Sequence, residues 1–399
     1  MALAAGRPAS LTRALALWWR ASLWLSLVGP SLFVVHKYTA RPGVAAYLVG
    51  SVLCVWLIPR LPLPRTARAT TAWALLTFAA VVIVFALVYP RVDVHTPGQG
   101  SDDDDALNLG ASALVTGHSP YTERTYLGNV LHQLPGAFLL ATPFVWAGTS
   151  ALQNLFWMPL FFLAARREMA DRREDAGGES LRMAWLVLAC CPVVLHEIVT
   201  GTGRGSNTIY VLLGLWWLTR TRRPIAAAAA WGVALASRAN FLFLLPLAFG
   251  WLRQRYGTRA ALGAMSVTSA TVLCLAVPFY LNDPSHFGPL EAANRLTVFE
   301  AVLPHAAAAI TLGMAALSIG LSFVPMDTAA LFRNSAIVQA VPVVAGVALG
   351  ARATGNFALA YATYGTFVLW FVLMALAALP GWASPRPTGP ALGQYSEGS

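Results

Sequence analysis

The sequence predicts an all-α, polytopic membrane protein, because apolar residues dominate it and recur in runs long enough to cross a bilayer. Of its 399 residues, 57% are hydrophobic and only 11% are charged, about half the charged fraction of an ordinary soluble domain. Runs of roughly 20 apolar residues, the length that a bilayer core requires, recur from Ala14 to Leu379. We expect one transmembrane domain over residues 1–380 with about twelve crossings. The segment 381–399, rich in Pro, Gly and Ser, is expected to be a disordered cytoplasmic tail.

The individual spans follow from apolar length and from the residues that interrupt it. Gly136–Ala165 could hold two short helices, but the charges on either side require an odd number of crossings, so one part should re-enter or lie in the interface. Ile225–Leu252 carries Arg238 at its middle, which favours two short helices meeting at the outer face. The remaining predicted spans are Ala14–His36, Gly43–Pro59, Thr71–Tyr89, Met183–Val199, Thr208–Thr219, Ala261–Leu281, Ala301–Phe323, Ser335–Gly350 and Phe357–Leu379.

Arginine-rich loops predict the orientation, since cytoplasmic loops carry an excess of basic residues. This rule also accounts for the net charge of +10 without a nucleic-acid partner. The N-terminus should be cytoplasmic, the loop 91–135 should face outward, and the protein should lie in the cell (inner or plasma) membrane. The clusters expected on the cytoplasmic side are Arg60/Arg65/Arg68, the stretch Arg166–Arg182, Arg220/Arg222/Arg223 and Arg253/Arg255/Arg259.

The outward loop contains four consecutive aspartates, Asp102 to Asp105, followed by the amphipathic segment Ala106–Thr116 and then Gly117. Adjacent carboxylates repel, so at least one should have a raised pKa and could act as a general base toward a hydroxyl group. The segment after them predicts a short interfacial helix whose dipole favours acids at its start. The catalytic candidates are therefore Asp102, Asp104 and Asp105, with Asp103 expected to point elsewhere. A solvated acidic loop with a capped helix, or an adventitious calcium site, is the alternative.

Cationic and aromatic side chains supply candidate substrate-binding residues on the same side. Arg124, Arg204 and Arg238 present planar guanidinium groups that match phosphate oxygens, whereas singly each could snorkel to lipid headgroups. His118, His132, His196 and Glu197 lie near the predicted outer ends of spans. A lone histidine is more often structural than functional, and we retain only His132. The four cysteines, Cys54, Cys190, Cys191 and Cys274, lie in apolar runs without metal-ligand spacing, so no metal ligand is predicted.

Residues 102–143 resemble the GT-C superfamily of integral membrane glycosyltransferases, especially the branch that uses polyprenyl-phosphate mannose. The resemblance lies in the acidic loop, the interfacial helix, the turn Leu114-Val-Thr-Gly-His-Ser-Pro-Tyr121, and Leu134-Pro135 with Leu140-Ala-Thr-Pro143. The turn Ser237-Arg238-Ala-Asn240 before Leu245-Pro246 is similar to a later basic turn of the family. Two departures leave the identity of the catalytic aspartate open: three spans precede the loop, and Ala106 replaces an aromatic residue.

The resemblance implies inverting transfer of a sugar, mannose in the branch named above, from a polyprenyl-phosphate donor to a lipid, glycan or protein hydroxyl at the outer face. An aspartate would take the acceptor proton, arginine would hold the departing phosphate, and Tyr121 joins the candidate substrate-binding residues. No cofactor is implied, and a divalent metal is left open because members differ. The alternatives are a transporter or flippase of lipid-linked sugars, with ionisable groups near mid-membrane, and a non-catalytic membrane protein that tolerates aspartate replacement.

Overall fold

The computed structural model describes residues 9–63, 66–96, 102–171, 175–221, 223–290, 296–355 and 359–379. This part of the chain is helical and contains no β-strand, only an isolated bridge between Arg124 and Val130. The all-α prediction is confirmed. The predicted tail, Arg65, Arg222, part of the acidic loop (97–101) and the start of the last predicted span at Phe357 lie outside the described residues.

The α-helices with described bounds are α1 Ala9–Val28, α2 Leu32–Leu57, α3 Ala67–Val92, α4 Asp103–Val115, α5 Pro135–Trp146, α6 Leu152–Ala170, α7 Ala176–Cys190, α8 Pro192–Val199, α9 Arg204–Arg220, α10 Pro224–Leu235, α11 Leu245–Tyr256, α12 Thr258–Asn282, α13 Ala306–Ser322, α14 Thr328–Thr354, α15 Leu359–Ala362 and α16 Thr366–Ala378. Short 3₁₀ turns join several of them, including Gly29–Ser31 between α1 and α2 and Ala239–Leu244 before α11.

Five segments of the described chain are long and apolar enough to cross a membrane: Trp18–Arg60, Ala67–Val92, Thr258–Asn282, Thr328–Thr354 and Leu359–Ala378. A sixth arises if α7 and α8, which meet at an 82° bend, form one broken span. Large apolar side chains such as Leu75, Leu76 and Ile83 are exposed on α3, as expected for a surface that faces lipid. The chain is therefore a helical membrane protein, whereas the crossing number of about twelve stays a prediction.

One predicted interruption is confirmed, and the first predicted span is corrected. Ile225–Leu252 does form two short helices, α10 and α11, with Arg238 in the turn between them. The predicted first span, Ala14–His36, is not one helix, because Gly29–Ser31 forms a 3₁₀ turn with Pro30 at its start. The next interruption comes within α2 at Ala40, which has a non-helical φ of 56°. Ala40 lies two residues before Pro42, whose backbone nitrogen has no hydrogen to donate.

Helix α16 lies at the centre of the core and packs against α1, α6, α9 and α14. Its residues are apolar on every face, which is the pattern of a helix enclosed by others. Leu369, Phe371 and Leu373 are fully buried. The ring of Trp370 packs edge-on against Phe161 of α6 at 4.9 Å between centroids. Thr366, the first residue of this enclosed helix, lies beside Glu197 at the end of α8.

Several connecting segments meet at one end of the helices, and we call this group the acidic end. It comprises the end of α3, helices α4 and α5, the α8–α9 and α10–α11 connections, and the start of α16. Both ends of α5 belong to it: the Gly136 amide donates to the Ala236 carbonyl at 2.7 Å, and the Ser150 amide, just after α5, donates to Asn108 of α4 at 2.7 Å. That part of Gly136–Ala165 re-enters or lies in the interface stays a prediction.

Candidate functional site at the acidic end

The first turn of α4 carries Asp103, Asp104 and Asp105, with Asp102 directly before it. Acidic side chains are stabilised here because the helix N-terminus presents partial positive charge. Successive residues of an α-helix are rotated by about 100°, so neighbouring side chains leave the axis in different directions. The four carboxylates consequently have four different sets of partners, and the predicted interfacial helix begins within the acidic run rather than after it.

Asp102 holds the following loop against the helix. Its Oδ2 accepts hydrogen bonds from the Thr125 hydroxyl and from the Asn129 side-chain amide, both at 2.7 Å. Two such bonds to a carboxylate are strong and directional. Asp102 therefore closes the loop 116–134 onto the start of α4.

Asp104 is the most enclosed of the four, with 1% of its surface exposed. Its Oδ2 accepts a hydrogen bond from the Tyr89 hydroxyl at 2.8 Å, and that hydroxyl lies 2.8 Å from Thr149 Oγ1. Its Oδ1 has no hydrogen-bond partner among the described residues. Burial, with the nearby charges of Asp93 and Asp105, raises the pKa of Asp104 to about 7. The sequence predicted a raised pKa for at least one of the four carboxyls from their mutual repulsion, but burial is the larger cause.

Asp105 pairs with a histidine from the end of α3. Its Oδ1 lies 2.8 Å from His95 Nε2, which is also 3.5 Å from Asp93. The hydrogen bond to Asp105, with the charges of Asp93 and Asp104, raises the pKa of His95 above its usual value. His95 adopts a φ of 47°, an uncommon conformation for a residue with a side chain. The edge of its ring faces Tyr126.

Asp103 faces Arg204, the first residue of α9. The distance from Asp103 Oδ2 to Arg204 Nη2 is 4.0 Å, and Glu197 Oε1 lies 3.6 Å from Arg204 Nε on another side. Arg204 also donates to the Thr363 hydroxyl at 3.0 Å, and its guanidinium stands 5.3 Å from the centre of the Tyr364 ring. This largely buried cation is thus held by contacts from α4, α8 and the segment before α16.

Glu197 is buried and belongs to the same cluster. It accepts hydrogen bonds from the Gly205 amide at 3.1 Å and from the Thr366 hydroxyl at 3.2 Å. A buried charge requires such partners. Glu197 therefore orients Arg204 and connects α8 to the starts of α9 and α16.

Arg238 is connected to Arg204 through one helix and two aromatic rings. The Asn207 amide is oriented so that its oxygen accepts from Arg238 Nε at 2.9 Å while its nitrogen donates to the Gly203 carbonyl at 2.9 Å. The Arg238 guanidinium stands 5.5 Å from the Phe367 ring, which lies 5.9 Å from the Tyr364 ring beside Arg204. The sequence predicted that three arginines would converge with the aspartates; Arg204 and Arg238 are linked in this way, whereas Arg124 is exposed in the loop after α4.

The other predicted substrate-binding residues belong to the loop after α4. Tyr121 is buried among the rings of Phe138, Phe279 and Phe287, and its hydroxyl donates to the Gln133 carbonyl at 3.0 Å. Arg124 is exposed, with its backbone bridged to Val130. His132 Nδ1 lies 3.5 Å from the Gly288 carbonyl, where it borders the loop after α12.

Sequence reasoning undervalued or missed Tyr89, His95 and Glu197. Glu197 is an acidic residue in the apolar helix Pro192–Val199. An ionisable residue in such a helix of a membrane protein indicates a functional site, and this signal was available from the sequence. Tyr89 and His95 carry no such signal, because only the tertiary structure places the end of α3 beside Asp104 and Asp105.

In the described chain, no three His, Cys, Asp or Glu side chains are grouped so as to hold a metal ion, and the prediction on metals stays a prediction. Comparison with protein-family models, curated proteins and solved structures finds no match to this chain.

Proposed function

We propose that the chain is a membrane glycosyltransferase of GT-C-like topology, with about twelve crossings, that transfers a sugar from a polyprenyl-phosphate donor to an acceptor hydroxyl. The observation that carries this proposal is the Asp103–Arg204 contact of 4.0 Å at the acidic end. It brings a carboxylate and a phosphate-binding type of side chain to one place. Mannose as the sugar rests only on the family resemblance.

The geometry favours Asp103 as the base over the three aspartates preferred from sequence. One third of the Asp103 side chain is exposed, at 33%, so an acceptor hydroxyl can reach it. Asp104 and Asp105 are buried, and Asp102 holds Thr125 and Asn129 of the following loop. A general base must lie within hydrogen-bond reach of the proton that it takes. Asp103 combines partial exposure to the acceptor with proximity to Arg204.

The chemistry assigns one role to each charge. The acceptor oxygen forms a bond to the anomeric carbon while its proton passes to Asp103, and the bond from that carbon to the donor phosphate breaks. The electron pair stays on the departing lipid phosphate. Negative charge grows there in the transition state, and Arg204 and Arg238 would stabilise it. The separation of 4.0 Å exceeds a hydrogen bond, so a phosphate oxygen can take the place of Asp103 at the guanidinium.

The test is transfer by membranes that carry Asp103→Asn, assayed with polyprenyl-phosphate sugars and extracted acceptor lipids. We expect transfer to fall by about 10²-fold or more, the usual contribution of a general base. Asp283→Asn is the matched control, because Asp283 lies in the exposed loop after α12 and pairs with Ser285 and His286. Full activity of Asp103→Asn with loss in Asp104→Asn would move the base to Asp104.

The transporter alternative draws on one observation, the 82° bend between α7 and α8, since broken helices form binding sites in transporters. The bend brings Glu197 to the acidic end. Wild-type protein that moves a lipid-linked sugar across vesicle membranes but transfers none from any donor would favour the transporter. Equal behaviour of wild type and the quadruple Asp→Asn variant in both assays would favour a non-catalytic role.

A further inference from the structure

A cavity of about 300 Å³ opens beside Arg204, between α2, α8 and the segment around α15. We call it the Lys37 cavity. Its walls include Lys37, Arg204 and Thr363 on the polar side and Phe33, Val34 and Val193 on the apolar side. The volume falls at the small end of the range for ligand sites in proteins. It shares Arg204 with the candidate site.

The charges that line this cavity are of one sign. Lys37 and Arg204 both line it, and no acidic side chain is among its described lining residues. Glu197 and Asp103 contact Arg204 but do not line the cavity. The Lys37 ammonium makes no ion pair with any residue that the structure describes, and its recorded contact is with the neighbouring Tyr38 ring. An uncompensated cation beside a second one favours an anion.

The apolar wall restricts the class of anion. Phe33 and Val34 belong to α2, within the apolar segment Trp18–Arg60 that is long enough to cross a membrane, and Phe33 is partly exposed toward the outside of the helices. A ligand that reaches Lys37 from the bilayer would therefore pass an apolar surface first. Long cationic side chains near the ends of membrane helices commonly place their charge at headgroup level. The cavity suits a molecule with an anionic head and a hydrocarbon tail.

We propose that the Lys37 cavity binds the phosphate group of a lipid monophosphate, with Lys37 and Arg204 on the phosphate and the hydrocarbon chain along α2. This inference rests on the proposed function for its biological meaning, since the same lipid would be the sugar donor or its released product. The binding itself can be tested without any transfer activity. Lys37 is the chain's single lysine. Acylation of a side-chain amine therefore reports only on this cavity.

The experiment measures acylation of Lys37 by an amine-reactive ester in purified full-length protein, read by mass spectrometry against an added lysine peptide. Dodecyl phosphate should slow Lys37 acylation by about five-fold at a concentration near four times its dissociation constant. Inorganic phosphate and dodecanol at the same concentration should protect much less, since phosphate lacks the hydrocarbon chain and dodecanol lacks the anionic group. In Arg204→Met, protection by dodecyl phosphate should be lost.

Equal acylation with and without dodecyl phosphate would overturn the inference, whatever the transferase assay shows. Equal protection by inorganic phosphate would identify a free-phosphate site and reject the lipid. As a second readout, Lys37→Met should lower kcat/KM for the lipid donor by about ten-fold, as expected when a cation on the departing phosphate is removed. Arg255→Met is the matched control, because Arg255 lines a separate cavity with Trp251 and Gln254 at the end of α11.

Discussion

Replacing Asp104 with asparagine should remove a large part of the pH dependence of stability between about pH 4 and pH 7. Burial raises the pKa of this carboxyl from 3.8 to about 7. Between these values the native state binds the proton more tightly than the unfolded state does. The free energy of unfolding therefore falls as the pH rises through this window and stays low above it.

The magnitude follows from the difference between the two pKa values. At about 1.4 kcal/mol per pH unit, it corresponds to about 4 kcal/mol of stability lost between pH 4 and pH 8. The near-complete burial of Asp104 means that solvent screening reduces this little. Asparagine keeps an oxygen that can accept from the Tyr89 hydroxyl but does not titrate. Any cost of its amide group should be the same at every pH.

The assay is unfolding in mixed detergent micelles, followed by tryptophan fluorescence, at intervals from pH 4.5 to pH 8 for wild type and Asp104→Asn. The difference in free energy of unfolding between the two proteins should change by about 3 to 4 kcal/mol across that range. Parallel curves for wild type and Asp104→Asn would refute the reasoning that this carboxyl is buried and titrates near neutrality.

Two further variants test the surroundings of the aspartates. The raised pKa of His95 means that its ion pair stabilises the fold below the ordinary histidine pKa and is lost as the pH rises through the native value. His95→Gln should therefore destabilise the protein more at pH 5.5 than at pH 8.5 in the same unfolding assay, and equal destabilisation at the two pH values would contradict this reasoning. Gly201→Ala should lower stability by about 1–3 kcal/mol, because Gly201 has a φ of 69° and an added Cβ would lie 2.8 Å from Asp104. Gly263→Ala, with open space around it in α12, should be neutral or slightly stabilising in thermal unfolding.

Local sequence features were sufficient to predict the helical membrane class, the short helix of the acidic loop and the break at Arg238. Apolar length and an arginine within an apolar run act over one or two helical turns, so they can be read without knowing what packs against them. The break within the first predicted span was missed. Gly29-Pro30 is a turn signal, but the apolar residues on both sides obscured it.

The sequence by itself determined that acids and arginines would gather at the ends of apolar helices, because charge is costly within the bilayer. Only the tertiary structure decided which of them meet. The rotation of about 100° per residue along α4 turns Asp103 toward Arg204 and buries Asp104 against Tyr89. These contacts join segments that are separated in the chain, and they depend on where the end of α3 and the start of α9 lie beside α4. No short-range pattern encodes that packing, since it arises from side chains of several helices together.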